Sequence, residues 1–293
     1  MIVRAVVVMM TAMMVVVVMI VCHEGSLAKK GSVMKAAELF DLTGQTALVT
    51  GASSGLGVRF AEVLATNGAA VVLAARRRDR LADLQARIEA AGGRALGVEA
   101  DVTDRDAMRR AFDAAEKAFG TVTVLVNNAG VAQGPQRAID LDEAEWRRVL
   151  DTNLDAVFAW AREGARRMIA AGKRGSIVNI ASVLGFGVAK GTLAYAVSKA
   201  AVAHFTKAFA LETAFKGVRV NAIAPGWIIT EINRDYLTSE KGQGMTRDIP
   251  MARFGEERDL DGALLLLASD AGRYMTGATV LVDGGQVVQL HGA

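Results

Sequence analysis

One cysteine stands in 293 residues. Cys22 has no partner in its own chain, so no internal disulfide forms and a reducing compartment is expected. Histidine is nearly as scarce, and His23, His204 and His291 are scattered. No H-x-x-x-H or C-x-x-C spacing gathers metal ligands, so no zinc or other metal site is expected. There are three prolines against thirty glycines, which points to tight βα turns rather than linkers. The formal net charge is only +3, and no Lys/Arg run is interleaved with aromatics, so nucleic acid is not an expected partner.

What is present reads as an ordinary globular chain, 52% hydrophobic and 22% charged. The N-terminus departs from that balance. Residues 5–22 are uncharged over eighteen positions, just long enough to span a bilayer. Three readings stay open for residues 1–33. They form a membrane anchor; or they form a signal peptide, with Arg4 ahead and residues 26–28 as a weak cleavage site; or translation begins at Met34. The last is slightly favoured. If the segment spans, Lys29, Lys30 and Lys35 outweigh Arg4 and keep the main domain cytoplasmic. The fold is therefore expected in residues 34–293, as one cytoplasmic domain.

From Met34 onward, short β-branched runs alternate with amphipathic stretches. Strands are predicted over residues 46–50, 69–75, 94–100, 122–127, 175–181 and 218–224, with a seventh in 278–285. Helices are predicted between them, including one long helix over 141–171. This alternation implies an α/β fold: one doubly wound domain with a seven-stranded, mostly parallel sheet covered on both faces.

"VTGASSGLG" places Gly51, Gly55 and Gly57 after the first strand and at a helix start. Glycines there let backbone approach a pyrophosphate, and the helix N-terminus offers free N–H groups. The same letters fit G-x-S-x-G, with Ser53 as a hydrolase nucleophile. That reading needs a histidine in a suitable loop, and only a mid-helix His204 and a terminal His291 follow. A dinucleotide site usually ends its second strand on a carboxylate that binds the ribose 2′-OH. Ala75 stands there instead, followed by Arg76 and Arg77. Guanidinium in place of carboxylate favours a 2′-phosphate, so NADP(H) is preferred and NAD(H) remains possible.

"YAVSK" sets Lys199 one helical turn after Tyr195, on the same face. A phenol is a poor acid–base group near neutrality, and a nearby ammonium lowers its pKa. The pair fits a tuned proton donor; alone, it fits better a core tyrosine beside a solvated lysine.

Taken together, residues 42–285 resemble the short-chain dehydrogenase/reductase family. The motifs follow that family's order: "TGASSGLG", Asp101–Val102, "NNAG" from Asn127, Asn153 in "DTNL", Ser182 in "NIASV", "YAVSK", and "PGWIIT" from Pro225 to Thr230. Thirteen residues separate Ser182 from Tyr195. The resemblance implies a catalytic set of Asn153, Ser182, Tyr195 and Lys199. Tyr195 would exchange a proton with the substrate oxygen, Lys199 would lower the phenol pKa, Ser182 would hold that oxygen, and Asn153 would position a relay water. The cofactor would lie along Gly51, Ser53, Ser54, Gly55, Leu56, Gly57, Arg76, Arg77, Asp101, Val102, Asn128, Ala129 and Gly130. It would continue to Tyr195, Lys199, Pro225, Gly226, Ile228 and Thr230. A small carbonyl or alcohol substrate and a homotetramer or dimer are implied. The alternative function is a dinucleotide-binding regulator without turnover. Leu184, Phe186, Val188, Trp227 and residues 231–248 are expected to line a mostly apolar substrate pocket.

Overall fold

The first strand shows why the sheet is buried on both faces. In β1 (Thr46–Thr50) every residue is buried. Ala47 and Val49 point into one core cluster, and Leu48 into the other. The same alternation runs through β2 (Ala70–Ala75), with Val71 and Leu73 on one side and Val72 on the other. Such continuous apolar runs are what a parallel sheet between two helix layers demands. The computed structural model of the protein describes residues 33–134 and 136–288. These fall into a short unit ending at Leu39 and a large one beginning at Phe40. The sheet lies in the large unit.

β3 (Arg94–Glu99), β4 (Val124–Asn127), β5 (Gly175–Ile180), β6 (Val218–Pro225) and β7 (Thr279–Val282) complete a seven-stranded sheet of order β3-β2-β1-β4-β5-β6-β7. Every pairing in it is parallel. α1 (Leu56–Thr66), α2 (Arg78–Ala90) and α7 (Asp261–Ala268) cover one face through Phe60, Leu64, Leu81, Leu84, Leu264 and Leu267. α3 (Arg105–Phe119), α5 (Ala156–Ala170) and α6 (Leu193–Thr213) cover the other, where Phe112, Trp160 and Met168 are fully buried. Each such side chain contributes about 1.5–3 kcal/mol of burial. The order reverses between β1 and β4, and open sheets bind ligands beside such a switch point, at the strands' carboxyl ends.

The helix expected over residues 141–171 runs unbroken over 143–170, with one turn that is not α-helical. It is α4 (Glu143–Leu150), a π-helical turn (Asp151–Asp155) and α5. One extra residue per turn is inserted where Asn153 points inward, a device that often marks a functional position in a helix. Apolar periodicity alone carries no trace of it.

Among the described residues, no helix is long and apolar enough to cross a membrane. Residues 5–22, where an anchor is one of the three readings, lie outside the described residues.

Candidate active site

The glycine loop after β1 is forced by its neighbours. Gly51 has φ +68, and a Cβ there would lie 2.9 Å from Ala129 Cα. A Cβ on Gly57 would meet Gly51 O at 2.2 Å, so α1 can lie this close to β1 only without one. Gly55, with φ +51, occupies the N-cap of α1 and no side chain caps that helix. The loop is locked to the β4 turn. Asn128 Nδ2 donates to Thr50 O (2.9 Å), and the backbone N–H groups of Asn128 and Ala129 donate to Thr50 Oγ1 at 3.0 and 3.1 Å.

A cleft of about 1080 Å³ runs across these carboxyl ends. It brings together Gly51, Ser53, Ser54, Gly55, Leu56, Arg76, Arg77, Asp101, Val102, Asn128, Ala129 and Gly130 with Ser182, Tyr195, Lys199, Pro225, Gly226, Ile228 and Thr230. Two expected residues stand behind the wall. Gly57 sits under Gly51. Asn153 is fully buried, its Oδ1 accepting from Val131 N at 2.8 Å and its Nδ2 donating to Val131 O and Ser198 Oγ at 3.0 and 3.1 Å.

The two arginines differ. Arg77 is spent on the loop: its Nε donates to Ser53 Oγ at 3.2 Å and its Nη2 to Ser53 O at 3.1 Å. Arg76 is three-quarters exposed, with Asp101 3.8 Å away. Burial pushes the Asp101 carboxyl up. The Thr103 backbone N–H and hydroxyl bonds, with the Arg76 charge, outweigh it and hold Asp101 below the usual carboxylate range.

At the other end stand Ser182, Tyr195 and Lys199. Ser182 follows β5, and its Oγ accepts from Leu184 N at 3.2 Å. Lys199 is buried; its Nζ donates to Ile180 O at 2.7 Å and lies 5.7 Å from the centre of the Tyr195 ring. Burial pushes Lys199 down to about 8. The Tyr195 phenol moves the other way from the expectation. Burial pushes it up, the Ser182 hydroxyl bond opposes that, and the lysine does not reverse it. Desolvation disfavours the charged form of both groups and here dominates.

The residues expected to line a substrate pocket divide between two hollows. Leu184, Trp227, Ile232 and Asn233 line the cleft. Phe186 and Val188 do not; they line a separate, adjoining hollow of about 510 Å³ that also holds Lys190 and Arg137. Two positioning residues, Thr50 and Gln133, escaped the sequence reading, and a third, Asn233, entered it only as pocket lining. Thr50 holds the β4 turn. Asn233 accepts from Thr230 N at 2.8 Å and donates to Ile228 O at 2.9 Å. Gln133 reaches the start of α6. A T-x-x-N turn signal could have found Asn233; nothing local marks the other two.

The family profile described as enoyl-(acyl carrier protein) reductase matches residues 51–286. The gluconate 5-dehydrogenase of Gluconobacter oxydans is 38% identical over 261 residues, covering 88% of this chain and all of that one. The chain belongs to the short-chain dehydrogenase/reductase family. This dehydrogenase/reductase is also 40% identical to 3beta-hydroxysteroid dehydrogenase 1 of Eggerthella lenta over 253 residues, 85% of this chain and 95% of that one. The crystal structure of a gluconate 5-dehydrogenase from Burkholderia cenocepacia in complex with NADP and tartrate superposes with a TM-score of 0.82. It is 35% identical and covers 87% of this chain and all of that one. Named relatives across this range act on hydroxyl and carbonyl groups, and this member is an oxidoreductase of the same kind.

Proposed function

We propose that the chain is an NADP(H)-dependent dehydrogenase/reductase in which Tyr195 exchanges the proton at a substrate carbonyl or secondary alcohol. The observation that carries this is the meeting of Ser182, Tyr195 and Lys199 at one end of a cleft whose other end holds Arg76 and the glycine loop. The cleft residues fit a dinucleotide. α1 presents an N-terminus that no side chain caps, and a Cβ on Gly55 would fill the space that faces Thr230, 3.5 Å from its Cβ. Bound nicotinamide would supply or take up hydride at the substrate carbon.

The chain's own residues handle the oxygen. Ser182 Oγ donates to it, and Tyr195 gives or takes its proton. A raised phenol pKa suits donation, because the phenol stays protonated near neutrality. Lys199 replaces that proton. A Cβ on Gly130 would lie 3.3 Å from Asn153 Oδ1 and 3.5 Å from Lys199 Nζ, so both side chains approach the same glycine, which supports a shared proton path. Of the arginines, Arg76 is the one free to reach a 2′-phosphate. The NADP-bound relative supports this preference. Exposed Phe158, Val197, Leu211 and Phe215 lie along α5, α6 and the turn after it, which supports a homo-oligomer built on those helices. We assign residues 34–293 to the catalytic domain and residues 1–33 to an extension.

The test is turnover of D-gluconate, D-glucose, cyclohexanol and a 3β-hydroxysteroid with NADP⁺ and NAD⁺, and of the matching ketones with NADPH and NADH. NADP(H) turnover that drops at least about 100-fold in Tyr195→Phe is expected. A preference for NAD(H) would sink the Arg76 assignment. Unchanged turnover in Tyr195→Phe would sink the proton-donor assignment. Tight NADPH binding with no turnover of any probe would favour a regulator.

A further inference from the structure

α6 starts without a cap of its own. Thr192 occupies the N-cap position and makes no side-chain cap bond. The first N–H groups of a helix have no intrahelical acceptor. Gln133 provides one from across the cleft. Its Oε1 accepts from Ala194 N at 2.6 Å and from Tyr195 N at 3.3 Å. Its Nε2 donates to Gly191 O at 2.8 Å. One half-buried amide thus ties backbone on both sides of Thr192.

The same short segment grips Tyr195 a second time. Val131 is clamped by Asn153 through both its N–H and its carbonyl. Asn153 Nδ2 donates to Ser198 Oγ, and Ser198 Oγ donates to Tyr195 O at 2.7 Å. The N–H of Tyr195 is therefore held by Gln133, and its carbonyl through Ser198 and Asn153. Both connections lead to residues 131–133, just after Gly130. Ordinary helix geometry would leave the first turn of α6 free to fray, taking the phenol with it.

We propose that Gln133 is a positioning residue for Tyr195. It caps the proton-donating helix from the opposite wall and fixes where the phenol meets the substrate oxygen. The inference rests on the reading of Tyr195 as the proton donor. A mere loop brace would lower stability and leave the phenol alone; a positioning residue moves the phenol's environment and the rate together.

The test uses the full chain with Gln133→Leu and Gln133→Glu, and Tyr195→Phe as control. Leu removes the acceptor. Glu keeps the acceptor, loses the donor to Gly191 O, and adds a negative charge, which a helix N-terminus accepts. The phenol is titrated by ultraviolet difference spectra, with the Tyr195→Phe spectrum subtracted, so no substrate is needed. In Gln133→Leu water reaches the loosened phenol, and its midpoint falls by about one pH unit. In Gln133→Glu the added carboxylate moves it upward. For whichever of the four alcohols or matching ketones is turned over, kcat falls roughly tenfold in Gln133→Leu with the KM for NADPH within about twofold. Gln133→Glu stays within about threefold of the parent. Midpoints unmoved in both variants overturn the inference, even if Tm falls. If Gln133→Leu does not fold, Gln133→Asn, whose amide is one methylene shorter, takes its place, read by midpoint and kcat together. Turnover that survives Tyr195→Phe sinks the proton-donor reading instead, while the titration still reports whether Gln133 sets the phenol.

Discussion

At the nucleotide end of the cleft, a Cβ on Gly57 would strike Gly51 O at 2.2 Å, and one on Gly51 would lie 2.9 Å from Asn128 Nδ2. In the adjoining hollow, a Cβ on Gly187 would find only Val183 O, at 3.9 Å, and one on Gly134, next to Gln133, would find nothing within 4 Å. The first wall is made of strand ends and a helix start held in contact by backbone. The second is made of loops, residues 183–192 and 226–249, tight where a Cβ on Gly185 would meet the Lys199 backbone and one on Gly226 would meet Asp283 Cα, both at 2.8 Å, and open at Gly187. A cofactor common to many relatives needs one fixed cradle; substrates that range from gluconate to steroids among those relatives need a wall that can differ.

Lys199 belongs to both halves, so replacing it gives the largest effect. Lys199→Met is expected to lower turnover at least about 100-fold. It should also stabilise the fold. A lysine ordinarily near 10.5 sits near 8 through burial. Such a shift corresponds to about 3 kcal/mol against the charged form, offset by about 1 kcal/mol for the lost bond to Ile180 O. The sign follows from proton counts. Below pH 8 both folded and unfolded states hold the proton. Between about 8 and 10.5 the unfolded state holds more, so parent stability rises with pH across that window. The variant's advantage, about 2 kcal/mol at pH 7, should therefore shrink toward pH 10 in urea melts. A variant less stable than the parent at pH 7 would contradict a buried, strained ammonium. In the parent, if Lys199 replaces the phenol's proton as proposed, ketone reduction should decline as pH rises through about 8, where burial sets the lysine's loss of a proton.

The contrast between the walls is sharpened by moving one methyl group. Gly57→Ala is expected to lose about 3 kcal/mol, lowering Tm by roughly 10 °C, and to weaken NADPH binding as α1 is pushed from β1. Gly187→Ala should stay within about 0.5 kcal/mol of the parent. Equal losses in the two variants, read by calorimetry and fluorescence titration of NADPH, would erase the distinction.

Legibility in the sequence follows the same division. The parallel sheet was readable because strands buried on both faces are continuous apolar runs, as in residues 46–50 and 70–75. The glycine loop was readable because steric exclusion leaves a letter in the sequence. The order and spacing of short motifs then brought Ser182, Tyr195 and Lys199 into one family pattern, and the fold gathers them at one end of the cleft. What was not readable depends on distance in three dimensions. The π-helical turn at Asp151–Asp155 keeps helical composition throughout. Gln133 is an unremarked polar residue until α6 arrives beside it, 61 residues later in the chain. The direction of the Tyr195 shift is hidden in the sequence, because spacing shows a neighbouring charge and not the burial that outweighs it. Arg76 and Arg77 look equivalent as letters, and only the bonds from Arg77 to Ser53 separate them.

The smallest expected effect lies on the second wall, at Leu184. This half-buried side chain reaches the cleft from the turn that Ser182 caps. Leu184→Ala removes apolar surface facing the substrate without touching Ser182, Tyr195 or the glycine loop. For cyclohexanol or a 3β-hydroxysteroid, kcat/KM should fall about tenfold, since lost methylenes in such a pocket cost about 1–3 kcal/mol. For D-glucose it should change less than about threefold, because a polyol gains little from that surface. The KM for NADP⁺ should not move. An equal loss on all probes would mean that Leu184 supports the Ser182 turn rather than the substrate, and that the second wall is as tightly coupled to the chemistry as the first. A loss confined to the apolar probes would leave the two walls separable, one holding what every reaction shares and the other deciding which alcohol is oxidised.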